Sequence, residues 1–175
     1  MKLVLNEERF EFDFPQAISL YKFDERDRMS PHYHNTAMKA VDVMAEFPNF
    51  QLWIEIKEYT SEEINNMKAE GNQKKNGDGY HLKSWLLSNV KYKFRDTFLY
   101  RYCENKIPEK IVYVFLTNFD DALNGFFRKE LIKHIPAGKI TQWSRTLLEK
   151  EHILVVNKEA WERNLNDKFG TCQKL

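Results

Sequence analysis

Two stretches of alternating side chains, residues 38–47 and 51–59, flank Pro48 and Asn49. Alternation at period two is the pattern of a half-buried strand, and a Pro-Asn dipeptide between two such runs marks a turn. The pair therefore reads as a β-hairpin, and no other segment constrains the fold as strongly. Into these strands the sequence puts charge: Asp42 on the first, Glu55 and Lys57 two apart on the second. Period two sends Trp53, Glu55, Lys57 and Tyr59 to one side of the sheet and Ile54 and Ile56 to the other, into a core. Charges are seldom buried unpaired, so this polar pair in otherwise apolar strands needs an explanation.

The segments around the hairpin set the fold class. Thr60 or Ser61, followed by Glu62 and Glu63, has the form of a helix start. Residues 71–79, with Lys74 and Lys75 among glycines, read as a flexible basic loop. From His81 to Cys103, apolar side chains at Leu82, Leu86, Val90, Phe94, Phe98 and Tyr102 recur at four-residue spacing and predict a long amphipathic helix. Residues 110–117 form a continuous apolar run, hence a strand buried on both faces. Asp120 or Asp121 can cap a helix over 122–135 that Pro136 and Gly138 end; a second buried strand over 152–157 and a short helix over 158–165 follow. Upstream, Leu3 to Leu5 and the alternation over 10–14 predict an opening strand or hairpin. Pro15 suits the first turn of a short helix through Ala17, Ile18 and Leu20, and 24–35 should be a polar loop. This order predicts an α/β (α+β) fold, a mixed central β-sheet with flanking helices. With no repeat and no Pro/Ser-rich linker in 175 residues, one domain over 1–175 is expected.

Composition removes several classes. At 42% hydrophobic and 14% aromatic residues the chain can bury a core, which excludes intrinsic disorder. No apolar run approaches the ~18 residues of a membrane span, and the first residues turn acidic without the apolar stretch of a signal peptide. Cys103 and Cys172 sit in no CxxC pair, so structural zinc and a disulfide scaffold are poor readings and a cytoplasmic protein is expected. The 27 basic residues nearly cancel the 26 acidic ones, which argues against a whole-surface polyanion binder. Residues 1–63 nevertheless carry 13 acids against 7 bases, and residues 66–101 carry 8 bases against 3 acids. That polarity suits a site that holds a cation and grips an anion, and equally a solvated helix face edged with lysine.

The Asp42, Glu55, Lys57 group fits metal-assisted phosphodiester hydrolysis. Two carboxylates on neighbouring strands can hold Mg²⁺ or Mn²⁺ through hard oxygen ligands and leave positions for water and a phosphate oxygen. Lys57 can then orient the water and stabilise developing charge. The structural alternative is a Glu55–Lys57 surface ion pair worth about 0–1 kcal/mol. Asp42, a twelve-residue gap holding the hairpin turn, and then Glu55-Ile56-Lys57 resemble the signature of the PD-(D/E)XK, or restriction-endonuclease-like, nuclease superfamily. Val41 stands where that name has its proline. The resemblance covers about residues 36–120. It implies a restriction-endonuclease-like core, Asp42 and Glu55 as metal ligands together with the Ile56 carbonyl, and Lys57 as the catalytic lysine. It also implies an acid from an N-terminal helix, Asp24 or Glu25, and a basic residue from the helix after the Glu-x-Lys strand. For that residue Lys93 is preferred over Lys91 and Arg95, because Val90 and Phe94 define the core face and leave Lys93 at its border.

The function expected is a metal-dependent nuclease acting on DNA, with RNA second and no membrane partner. The near-zero net charge predicts modest affinity, so a dimer or a larger complex would help it find substrate. The alternative is a non-catalytic nucleic-acid-binding or protein-interaction domain on the same fold. Other signals are weaker. His32 and His34 have the spacing of a metal pair but no third ligand nearby, and His34, eight residues before Asp42, better suits a phosphate contact. Gly77 to Gly79 lack the Gly-Lys-Ser/Thr of a P-loop. Tyr92, Phe94, Phe98, Tyr100 and Tyr102 interleave with Lys and Arg as stacking surfaces do, yet their spacing puts most of them in a core. Trp161 should pack the last helix onto the sheet, and Cys103, with no histidine near, is a poor nucleophile.

Overall fold

The computed structural model describes residues 1–31, 33, 34, 38–69, 82–139, 142, 144, 146 and 148–175. The basic loop expected over 71–79, with Lys74 and Lys75, lies outside the described residues, as do His32 and His81. Among the described residues, eight strands and five α-helices are ordered β1 (Lys2–Leu5), β2 (Phe10–Asp13), β3 (Ser19–Lys22), β4 (Val43–Phe47), β5 (Phe50–Lys57), α1 (Ser61–Ala69), α2 (Leu82–Cys103), β6 (Ile111–Thr117), α3 (Asp121–His134), β7 (Ile153–Val156), α4 (Lys158–Asn164), α5 (Asn166–Phe169) and β8 (Thr171–Lys174). The architecture is mixed α/β with two sheets.

The larger sheet has the order β3-β4-β5-β6-β7, antiparallel from β3 to β5 and parallel from β5 to β7. The hairpin closes through Phe47 opposite Phe50, around the Pro48-Asn49 turn. Both faces of β5 and β6 are covered, as the unbroken apolar run of β6 requires. On one face, Trp53, Tyr113, Phe115, Ile153 and Val155 pack against Leu86, Val90 and Phe94 of α2 and Leu123, Phe127 and Leu131 of α3. On the other, Leu52, Ile54, Ile56, Val112, Val114 and Leu116 meet Phe10, Phe12, Phe14 and Trp161.

That second face departs from the sequence expectation of flanking helices. It is covered largely by a three-stranded antiparallel sheet, β1-β2-β8, with α4 beside it. The C-terminal strand β8 is short and polar outside Cys172, which is buried, so its own pattern carries little strand signal. It enters through Gly170 at φ +119, where an added Cβ would stand 2.1 Å from the Asp13 carbonyl oxygen; only glycine fits. Trp161 stacks on Phe14 with centroids 5.9 Å apart and meets Phe12 edge-on at 6.0 Å, so it joins α4 to the small sheet.

Two local expectations are corrected. The helix expected after Pro15 is instead a turn leading into β3, the edge strand of the large sheet. Ile18 N–H donates to the Glu46 carbonyl at 2.7 Å and Ser19 to Lys22 pair with β4, so tertiary pairing overrides the local proline signal. The four-residue stripe also drifts on α2. Four residues advance the helix by about 40° beyond a full turn. The buried line therefore moves from Leu86, Val90 and Phe94 to Thr97 and Arg101, leaving Tyr102 67% exposed. At α1 the helix start is a reciprocal box: Glu63 N–H donates to Thr60 Oγ1 at 3.3 Å, and Glu63 Oε2 accepts from the Thr60 N–H at 2.8 Å.

Candidate active site

Four charged side chains meet where β5 ends. Asp42 lies one residue before β4, whereas the alternation predicts it on the strand. There the Asp42 carbonyl still accepts from the Phe23 N–H at 2.8 Å, while side chains take the neighbouring amides: Val41 N–H donates to Thr97 Oγ1 at 3.1 Å, and Ile56 N–H donates to Asp42 Oδ2 at 2.7 Å. One step beyond the Val43–Ile54 pair, Asp42 stands opposite Glu55. Period two then brings Glu55 and Lys57 onto the α2 side of the sheet.

Helix α2 is fixed against this point from several directions. Tyr113 Oη, buried on β6, donates to the Val90 carbonyl at 2.9 Å. Phe94 packs on Trp53 and Tyr113 with ring centroids 5.4 and 5.2 Å away. Lys39 N–H donates to Asp96 Oδ2 at 2.9 Å, and Lys39 Nζ donates to Asn89 Oδ1. Between these anchors Lys93 reaches down to the sheet. Its Nζ lies 3.0 Å from Asp42 Oδ1 and 2.8 Å from Glu55 Oε2, while Lys57 Nζ lies 3.4 Å from Glu55 Oε1.

The burial of this cluster governs its chemistry. Glu55 is 1% exposed and Asp42 5%. Neither Glu55 oxygen has a hydrogen bond of ordinary geometry among the described residues; both rely on ionic contact with the lysines. Burial, reinforced by the Asp42 charge, pushes the Glu55 carboxyl up to about 8 against the pull of Lys93 and Lys57. Burial alone would lower the Lys93 ammonium, but Glu55 and Asp42 outweigh it and hold Lys93 above the ordinary lysine range. Removing the Lys93 charge would leave two buried acids side by side, which is costly.

The cluster opens into a cavity of about 1110 Å³ at the C-terminal end of β5. Open α/β sheets characteristically place ligands beyond the C-terminal ends of their parallel strands. Asp24 and Glu25 line the cavity mouth from the loop after β3, together with Glu7, Glu8 and Asp27. No helix precedes α1 among the described residues, so Asp24 and Glu25 reach the cavity from a loop and not from the N-terminal helix that the resemblance implies. Sequence reasoning missed Trp85, Asn89 and Asp96, which line the cavity with Lys93. Their helical spacing of four, eight and eleven residues from Trp85 marks one face of α2 and was legible in principle.

Other expected contributors lie elsewhere. His34 is 2% exposed, with its ring 4.5 Å from Tyr100 and 5.3 Å from Phe23, and burial lowers its pKa. It does not line the Asp42 cavity, so the phosphate contact expected for it is not available. Among the described basic residues of 66–101, only Lys93 lines that cavity. Lys68 pairs with Asp120 at 2.6 Å, and Arg101 is buried against Glu46 at 2.6 Å and Glu104 at 3.0 Å. Lys91 and Arg95 gather with Lys39 around the half-exposed ring of Tyr92, at 4.8, 5.6 and 5.8 Å from its centroid. Lys39 also lines the cavity and so links this cationic patch to its rim.

No group of three or more His, Cys, Asp or Glu able to hold a metal ion occurs among the described residues. The donors at hand are therefore two carboxylates of hard oxygen character, one of them buried and held by the lysines. Such a pair fits a cation that keeps most of its water, as Mg²⁺ does, and does not fit a closed zinc site. No described helix is long and apolar enough to cross a membrane. Comparison with protein-family models, with curated proteins and with solved structures finds no match to this chain.

Proposed function

We propose that the chain is a divalent-metal-dependent nuclease of the PD-(D/E)XK kind, hydrolysing phosphodiester bonds of DNA or, second, of RNA. Its restriction-endonuclease-like core would comprise β3 to β7 with α2 and α3. One observation carries the reading: Asp42 and Glu55 converge on a single cation position at a cavity, with Lys57 alongside. Asp42, Glu55 and the Ile56 carbonyl would hold Mg²⁺ or Mn²⁺. When bound, such an ion polarises a phosphoryl oxygen and lowers the pKa of bound water. Lys57, on the solvent side of Glu55 with a 37% exposed side chain, is the group that can donate a hydrogen bond to an attacking water and to the charge that develops on phosphate. Substrate phosphates reach the site past Lys39, Lys91 and Arg95, which position the strand without reading its sequence.

A non-catalytic nucleic-acid-binding or protein-interaction module is the second reading, favoured by one feature: Lys93 already bridges both acids and Lys57 flanks Glu55. Cleavage of plasmid, single-stranded DNA and RNA with Mg²⁺ and Mn²⁺, wild type against Asp42→Ala, separates the two. The nuclease reading expects metal-dependent cleavage that Asp42→Ala abolishes. If wild type leaves every substrate intact, the module reading takes its place.

A further inference from the structure

We propose that Lys93 is the resident cation of this site: its ammonium fills the position between Asp42 and Glu55, and a divalent ion binds by displacing it. The inference rests on the proposed metal site and adds how that site is held and loaded. The oxygens leave few choices. Asp42 Oδ2 already accepts from the Ile56 N–H at 2.7 Å, so the less engaged oxygen of Asp42 is Oδ1, which Lys93 holds at 3.0 Å. Of the Glu55 oxygens, Oε1 faces Lys57 at 3.4 Å and Oε2 faces Lys93 at 2.8 Å. The oxygens that converge are thus both on one Nζ. A metal at about 2.1 Å from each would occupy the volume that the ammonium now fills. Two cations there would also repel strongly in a buried setting.

In the metal-free protein Lys93 is therefore a positioning residue. It spares the fold two adjacent buried acids without a counter-charge and keeps both carboxylates turned toward the position a metal takes. Displacement has somewhere to lead: Asp96, three residues on along α2, and Asn89, four residues back, line the same cavity. A lysine moved there faces the space where a phosphate arrives. Metal uptake thus becomes an exchange that withdraws a positive charge from the acids and presents it to an anion.

Calorimetric titration of the full chain with Mn²⁺ tests this, comparing wild type, Lys93→Met and Lys93→Arg in mildly alkaline buffer. Lys93→Met keeps an unbranched side chain, one atom shorter, and removes its charge, so it should bind Mn²⁺ about tenfold or more tightly than wild type. Lys93→Arg keeps a cation and should bind no more tightly than wild type. Thermal melts supply a second readout: without metal Lys93→Met should melt below wild type, and Mn²⁺ should raise its melting temperature more. Should Lys93→Met fail to fold without metal, Lys93→Gln takes its place in the same titration. Equal or weaker Mn²⁺ affinity in the uncharged variant overturns the exchange and leaves the metal site standing. Absence of binding by every protein overturns both.

Discussion

Replacing Glu55 with glutamine tests the electrostatics of the site without any ligand. In the folded chain the Glu55 carboxyl is pushed from 4.5 up to about 8, first by burial and then by Asp42. A raised carboxyl pKa means that the folded state holds the proton more tightly than the unfolded chain does. The contribution to stability is then full below the unfolded value and is lost as pH rises through the folded one. At 1.36 kcal/mol per pKa unit the shift amounts to at most about 5 kcal/mol, all of it lost above about pH 8. Glu55 is buried, so no solvent screening reduces this figure. Glu55→Gln keeps the shape and cannot ionise. Urea denaturation followed by tryptophan fluorescence should therefore show wild type losing several kcal/mol relative to Glu55→Gln between about pH 5 and pH 9. A stability difference that stays constant with pH would refute the reasoning. So would a wild type that gains on the variant as the solution becomes alkaline.

Lys57→Ala should abolish cleavage while calorimetric Mn²⁺ binding stays within about threefold, because in the proposed reaction Lys57 would act on water and developing charge and would not hold the cation. Loss of both together would assign it a structural part. Trp161→Ala should cost about 3–5 kcal/mol in chemical denaturation, since it removes a fully buried ring stacked between α4 and the small sheet. A cost under about 1 kcal/mol would mean that the small sheet docks without it. Neutralising Lys39, Lys91 and Arg95 to glutamine should make the log–log salt dependence of DNA binding shallower by up to about 3, at about 0.9 for each phosphate that is no longer neutralised. An unchanged slope would place the nucleic-acid track elsewhere.

Much of the large sheet is legible in the residues themselves. The hairpin shows because its alternation is long and a turn dipeptide interrupts it, and β6 shows because a strand buried on both faces must be apolar throughout. Glu55 and Lys57 are conspicuous for breaking a pattern, and Lys93 follows from the boundary between Val90 and Phe94. What stays hidden depends on distant partners. The edge strand β3 forms because β4 offers hydrogen bonds, which no local signal at Pro15 reveals. Likewise β8 exists because β2 has a free edge beside Gly170. His34 reads as a phosphate contact in a polar loop, yet it is buried between Phe23 and Tyr100. The basic stretch of 66–101 looks like one surface on a charge plot, but its described members part company: Lys68 on α1 faces Asp120, while α2 turns Lys91 and Arg95 toward Tyr92, Arg101 toward Glu46 and Lys93 toward the acids of the site.

In the proposed site Asp42 and Glu55 share a seat for a divalent cation. Crystals of the full chain soaked in Mn²⁺ and measured at the manganese absorption edge test it most directly. An anomalous peak is expected about 2.1 Å from Asp42 Oδ1 and from a Glu55 oxygen, with Lys93 Nζ drawn away from both. Lys93 still between the two carboxylates at saturating Mn²⁺, with no anomalous density beside them, would contradict it.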